Sequence, residues 1–170
     1  MTKPTRRAVL DAGSGLFALI VVIQLVPVVG TGNPPVSREI AWDSPETMGI
    51  AQRACLDCHS NETVWPAYAR VAPISWLIAK DVQEGREHLN FSEWDGPNED
   101  VDAVVDMVES GEMPMRRYVL MHRDATLTER EITTFIQGMR ETFAADPPAE
   151  AAHADDDHAD DEHDELTRGG

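Results

Sequence analysis

The sequence predicts a mostly α-helical fold, carried by a domain over residues 37–145, and three observations lead to it. Apolar residues recur at helical spacings, most cleanly as the stripe Ile132, Phe135, Ile136, Met139 and Phe143. Residues that start and stop helices bracket these runs. No alternating run of β-branched residues is long enough to read as a sheet.

At the N-terminus, Lys3, Arg6 and Arg7 precede an apolar run that spans residues 12–29, interrupted late by Gln24 and Pro27. Eighteen residues of helix reach roughly 27 Å, near the lower limit for a bilayer core of about 30 Å. The run therefore reads as a transmembrane anchor, with residues 1–11 cytoplasmic and the remainder exported, because the basic residues lie before it. A cleaved signal peptide is the competing reading, although Val28-Val29-Gly30 makes a poor cleavage site. Residues 30–36, with Gly32, Pro34 and Pro35, form a linker that cannot continue a helix.

Ser44-Pro45-Glu46 then starts a helix, Ser as N-cap and Pro at the first position, which runs through Met48, Ile50 and Ala51 to two cysteines. Pro66 and Pro73 bracket an irregular stretch. Beyond Pro73, Trp76, Leu77, Lys80, Asp81 and Glu84 fall on helical spacings up to Gly85. Asn98 is placed to cap a third helix carrying Val101, Val104, Val105 and Val108, ended by Gly111. Thr128 and Glu131 make a capping box for the last helix. Residues 146–170 read as a disordered acidic tail bearing His153, His158 and His163.

Charge narrows the partners. The 170 residues carry 14 Lys and Arg against 31 Asp and Glu, a formal charge of −17. That balance excludes ordinary nucleic-acid binding, which needs clustered cations to neutralise phosphates. It suits instead a basic protein partner. The histidine-bearing tail also has the donors to hold exported transition metals loosely, though a plain solvated tail explains the same residues. Two cysteines exclude a disulfide scaffold.

Those cysteines carry the chemistry. Cys55-Leu56-Asp57-Cys58-His59 is a C-x-x-C-H motif, the signature of covalent c-type haem attachment. Thiols three positions apart at a helix end can each bond one vinyl-derived edge of a porphyrin, and the next residue is then held beneath the ring. His59 is thus the expected proximal iron ligand. Three other readings stand beside it: a structural zinc site, a thioredoxin-like redox pair, and a chance match. Zinc needs further ligands, for which only His88 or His122 remain. A redox pair expects a strand before the motif.

The other face of the iron falls to a methionine. Met113, in Gly111-Glu112-Met113-Pro114-Met115, is the expected distal ligand, since a thioether on a Pro-stiffened loop can reach the iron from a free direction. Met115, Met121 and His122 are its alternatives, and His88 a weaker one. Trp65, Tyr68, Trp76, Trp94 and Tyr118 are expected to wall the porphyrin or fill the core. Arg70 and Arg86 are candidates to pair with the haem propionates, or else to make ordinary surface salt bridges.

With these residues placed, the chain resembles the haem-binding-domain family of bacterial, membrane-anchored, single-haem c-type cytochromes. The likeness runs from Gln24 to Met139. It rests on Gln24-Leu-Val-Pro27, Asn33-Pro34, Cys58-His59-Ser60-Asn61-Glu62-Thr63, Trp65-Pro66, Tyr68, Ala72-Pro73 and Ser75-Trp76. It continues in Gly85-Arg86, Leu89-Asn90, Phe91-Ser92-Glu93-Trp94, Gly111-Glu-Met-Pro114, Tyr118, His122 and Leu127-Thr128. The resemblance implies one covalent haem c on Cys55, Cys58 and His59, faced by the Met113 region. The acidic tail lies outside the family pattern. The function expected is electron transfer by a cytochrome c-like helical domain tethered to the inner membrane and facing the periplasm. A gas sensor or a peroxidase-like haem protein with a labile distal ligand is the alternative. No catalytic acid–base constellation stands out beside the motif.

Overall fold

The computed structural model describes residues 6–150, and these are mostly helical. Seven α-helices occur among them: α1 Arg6–Ile23, α2 Pro45–Ala54, α3 Leu56–His59, α4 Ile74–His88, α5 Val101–Glu109, α6 Arg116–Met121 and α7 Glu129–Ala145. Short 3-10 turns lie at Ala67–Arg70 and Arg123–Ala125. Two brief strands, β1 Pro97–Asn98 and β2 Ala149–Glu150, pair in parallel.

Local chemistry sets most boundaries. The Ser44 hydroxyl accepts from the Thr47 amide at 3.2 Å and starts α2, with Pro45 in the first turn. Thr128 and Glu131 form the expected capping box of α7. The cap of α5 is Asp100, not Asn98: its carboxylate accepts from the Ala103 amide at 2.9 Å. Asn98 is spent elsewhere, accepting from the Asn90 amide and donating to the carbonyls of Glu93 and Gly96. Helix α4 runs on through Gly85 to His88.

The expected membrane-spanning helix over residues 12–29 is corrected. Helix α1 begins at Arg6 and ends at Ile23, so it takes in Arg6, Arg7 and Asp11 and leaves Gln24 to Val29 outside. No described helix is long and apolar enough to cross a membrane. The helix stops where Gln24 turns to the domain, donating to the Ala72 carbonyl at 3.1 Å and accepting from the Ala72 amide at 3.0 Å. Pro27 has no N–H with which to resume it. The large apolar side chains of α1, among them Leu16, Phe17, Leu19 and Ile20, are exposed.

The linker over residues 30–36 is irregular, and it is fastened down. Asn33 donates to the Thr63 carbonyl at 3.0 Å, and Arg86 donates to the Gly32 carbonyl at 3.0 Å. At the other end, Asp146 to Glu150 belong to the fold and correct the expectation that disorder starts at residue 146. The Asp146 carbonyl accepts the Trp94 indole N–H at 2.8 Å, and its carboxylate holds Arg38 and the Ala41 amide. The three tail histidines lie outside the described residues.

The core sits between α2, α5 and α7. Phe135, Met139 and Phe143 of the α7 stripe pack with Ile50, Phe91, Trp94, Val104 and Val108, all buried. Each large side chain withdrawn from water contributes roughly 1.5–3 kcal/mol. Phe143 meets Trp94 edge-on at 4.9 Å between ring centroids.

Helices α2 and α7 cross closely at Gly138. A Cβ there would stand 2.0 Å from Thr47 Oγ1 and 2.9 Å from Thr47 Cβ. Thr47 is buried and held by Ser44, so it cannot swing away. Gly138→Ala is expected to destabilise the domain by about 1–3 kcal/mol through overpacking. A urea melt with a lowered midpoint and unchanged slope checks this; an unmoved midpoint contradicts it.

Candidate functional site

The chain breaks between α2 and α3 at Cys55, and this break builds the site. The Cys55 amide donates to Ala51 at 2.8 Å to close α2, while the Cys55 carbonyl accepts from His59 at 3.0 Å to close the single turn of α3. Cys55, Cys58 and His59 then line one cleft of about 330 Å³, together with Leu89, Phe91 and Phe135.

His59 is oriented by the backbone. Its Nδ1 lies 3.0 Å from the Leu89 carbonyl. A carbonyl can only accept, so Nδ1 carries the proton and Nε2 keeps its lone pair. Burial holds the imidazole below its ordinary range, so the ring is neutral at pH 7 and ready to bind a metal ion. Burial also pushes both thiols up to about 12, aided at Cys58 by Asp81 and Asp57, so both stay protonated.

Gly85 lets α4 reach this turn. A Cβ at Gly85 would lie 2.7 Å from the Cys58 carbonyl oxygen, a backbone atom that cannot yield. Gly85→Ala is therefore expected to displace α3 and lower the yield of protein with a filled site several-fold, whereas Gly49→Ala, with open space around it, should not. Equal yields of filled protein from the two variants would contradict this.

The segment after α5 lines the same cleft. Gly111 turns the chain at φ 73°, and the Met113 amide donates back to the Met107 carbonyl at 3.0 Å. Two latches fasten α6 beyond it. The Tyr118 hydroxyl donates to Asp57 at 2.8 Å, and Asp57 belongs to the C-x-x-C-H motif itself. Arg117 holds Asp81 of α4 through two bonds, at 2.9 and 2.6 Å. This pairing keeps Arg117 charged and above its ordinary range.

The structure sorts the remaining candidates. Met113 and Met115 line the cleft with the cysteines and His59. Met121 and His122 do not; they line a second cavity on the far side of Tyr118. Both His122 ring nitrogens have partners, Tyr68 OH at 3.3 Å and the Tyr118 carbonyl at 3.2 Å. His88 stands at the cleft's edge and is bonded to Glu99 at 2.7 Å. Arg86 is not free for propionates: it binds the Ser60 and Gly32 carbonyls, Asn33 and Thr63. Arg70 is exposed and away from the cleft. Trp94 fills the core, Trp65 donates to Asn33, and Tyr118 walls the cleft.

A family model described as a haem-binding domain matches residues 18–141. The chain belongs to the haem-binding-domain family. No curated protein and no solved structure matches it.

The cleft fits a haem on its own chemistry. Two thiols, an oriented neutral imidazole, a thioether and apolar rings line the same space. The other readings of the motif lose ground. Among the described residues no group of three or more His, Cys, Asp or Glu is placed to hold a metal ion, and no strand leads into Cys55.

Sequence reasoning missed the Leu89 carbonyl, the Tyr118–Asp57 latch and Arg117. A backbone carbonyl leaves no trace in residue identity, and partners 61 positions apart have no local signal.

Proposed function

We propose that the chain is a single-haem c-type cytochrome that carries electrons on the exported side of a bacterial membrane. The observation that carries this reading is the meeting of Cys55, Cys58, His59 and Met113 in one cleft, with His59 Nε2 left free by the Leu89 carbonyl. When bound, haem c supplies an iron that alternates between ferric and ferrous states.

The chain's own residues do the rest. The thiols of Cys55 and Cys58 would hold the porphyrin covalently, as thioethers. His59 would ligate the iron through Nε2, and its bond to Leu89 keeps the ring from rotating. Met113 would offer the iron a thioether sulfur, a ligand that favours the reduced state over a second imidazole. Leu89, Phe91 and Phe135 give the cleft apolar walls, and Arg117 lines it while paired with Asp81.

Attachment to the membrane is part of the proposal. It is supported by the exposed apolar side chains of Leu16, Phe17, Leu19 and Ile20, and by Lys3, Arg6 and Arg7 before them. The charge of −17 favours a basic redox partner, whose approach salt should slow.

A potentiometric titration with CO challenge tests the function. The expected result is one reversible one-electron step and slow CO binding to the ferrous protein. Rapid CO binding by the untreated ferrous protein would overturn electron transfer in favour of a gas-binding or peroxidase-like role.

A further inference from the structure

Beside the haem cleft lies a second cavity of about 270 Å³ that the proposed electron carrier does not use. Cys58, Asp81, Met115, Arg117 and Tyr118 line both, so they form a shared partition. Three properties define what this cavity takes.

Its interior is apolar, walled by Ile78, Val82, Pro66 and Met115. A cavity of about 150 Å³ lined by aliphatic side chains admits benzene. The larger space here accommodates one aromatic ring with a short alkyl substituent.

Of the polar side chains that line it, Arg117 holds Asp81, Tyr118 donates to Asp57 and Thr63 donates to the Asp57 carbonyl, which leaves Tyr68 and His122. Tyr68 OH lies 3.3 Å from His122 Nε2, and His122 Nδ1 lies 3.2 Å from the Tyr118 carbonyl. The carbonyl fixes the proton on Nδ1, so Nε2 accepts from Tyr68. The Tyr68 oxygen then has lone pairs left over, ready to accept from a hydroxyl on the guest. Tyr118, by contrast, spends its own hydroxyl on Asp57.

The mouth opens to an apolar surface. Ile74, Leu77 and Met121 are lining residues and are about half exposed, at 49%, 47% and 59%. Ile74 lies two residues beyond Ala72, where Gln24 fastens the end of the exposed apolar N-terminal segment. The entrance thus adjoins the most apolar part of the chain, which suits a guest that partitions out of water.

We infer that this cavity is a binding site for a small amphipathic phenol, of the alkylphenol or hydroquinone class, held by its ring in the apolar interior and by its hydroxyl on Tyr68. The guest lies against the partition that also walls the haem cleft. The inference concerns binding alone and goes beyond the electron-carrier reading.

The test titrates the full-length haem-loaded protein with two probes, 4-propylphenol and propylbenzene, by calorimetry. Wild type is expected to bind both, the phenol about five-fold more tightly, the worth of one added hydrogen bond. Tyr68→Phe should retain binding and erase that preference. Leu77→Arg, which places a charge at the mouth, should abolish binding of both probes while the visible spectrum stays unchanged. Absence of binding by wild type, a preference that survives in Tyr68→Phe, or undiminished binding by Leu77→Arg would each overturn the site. None of these outcomes depends on whether the haem carries electrons, so failure of the cavity proposal is distinct from failure of the function.

Discussion

Replacing both Cys55 and Cys58 by serine should leave the protein without covalent haem and substantially unfolded. The two effects have one cause. The cleft is about 330 Å³ and is walled by Leu89, Phe91, Val104 and Phe135, side chains that also border the core. Without the haem these side chains would face water, at a cost of roughly 1.5–3 kcal/mol for each one fully exposed. A domain of this size has only about 5–15 kcal/mol of total stability. Loss of the tether should therefore show as a lowered urea midpoint and weakened near-ultraviolet circular dichroism, beside loss of the haem absorbance. A colourless variant that melts like the wild type would contradict the view that the haem completes the core.

Met113→Ala should remove the distal ligand while leaving the haem attached. The weak near-infrared charge-transfer band of sulfur on ferric iron should disappear, and the reduction potential should fall by a sizeable part of the roughly 0.8 V that axial ligation spans. Met121→Ala should change neither, because Met121 lines the second cavity and not the cleft. Met115→Ala is the sharper control. Met115 lines both spaces, so loss of the band in that variant with retention in Met113→Ala would move the ligand two residues along. A band absent from wild type would point to His122 and require Tyr118 and Tyr68 to give up its ring nitrogens.

The legible parts of this molecule are those governed by neighbours in sequence. Ser44-Pro45 and the Thr128–Glu131 box mark their helices because capping is a three-residue interaction. The α7 stripe marks a buried face because periodicity survives without knowledge of the partner. The motif at Cys55, Cys58 and His59 is legible for the same reason: its geometry is contained in five residues.

The illegible parts depend on distant partners. The end of α1 is set by Gln24 on Ala72, 48 residues away, so a hydropathy reading runs the helix on to residue 29. Asp100 rather than Asn98 caps α5 because Asn98 is drawn into the turn between Asn90 and Gly96. Arg86 reads as a propionate partner or a surface salt bridge, yet its guanidinium is consumed by the loop after His59 and by the linker. Gly85 reads as a helix stop, and its missing Cβ is instead needed mid-helix where α4 meets Cys58. Asp146 to Glu150 read as the start of an acidic tail, and Trp94 and Arg38 recruit them to the fold.

The central claim is that this cleft holds one haem by covalent bonds to Cys55 and Cys58. Intact mass spectrometry tests it most directly, on protein from a host with cytochrome c maturation machinery and after acidified-acetone extraction. The account predicts a chain heavier than the polypeptide by one haem, with no free thiol. A chain at polypeptide mass with two titratable thiols would contradict it.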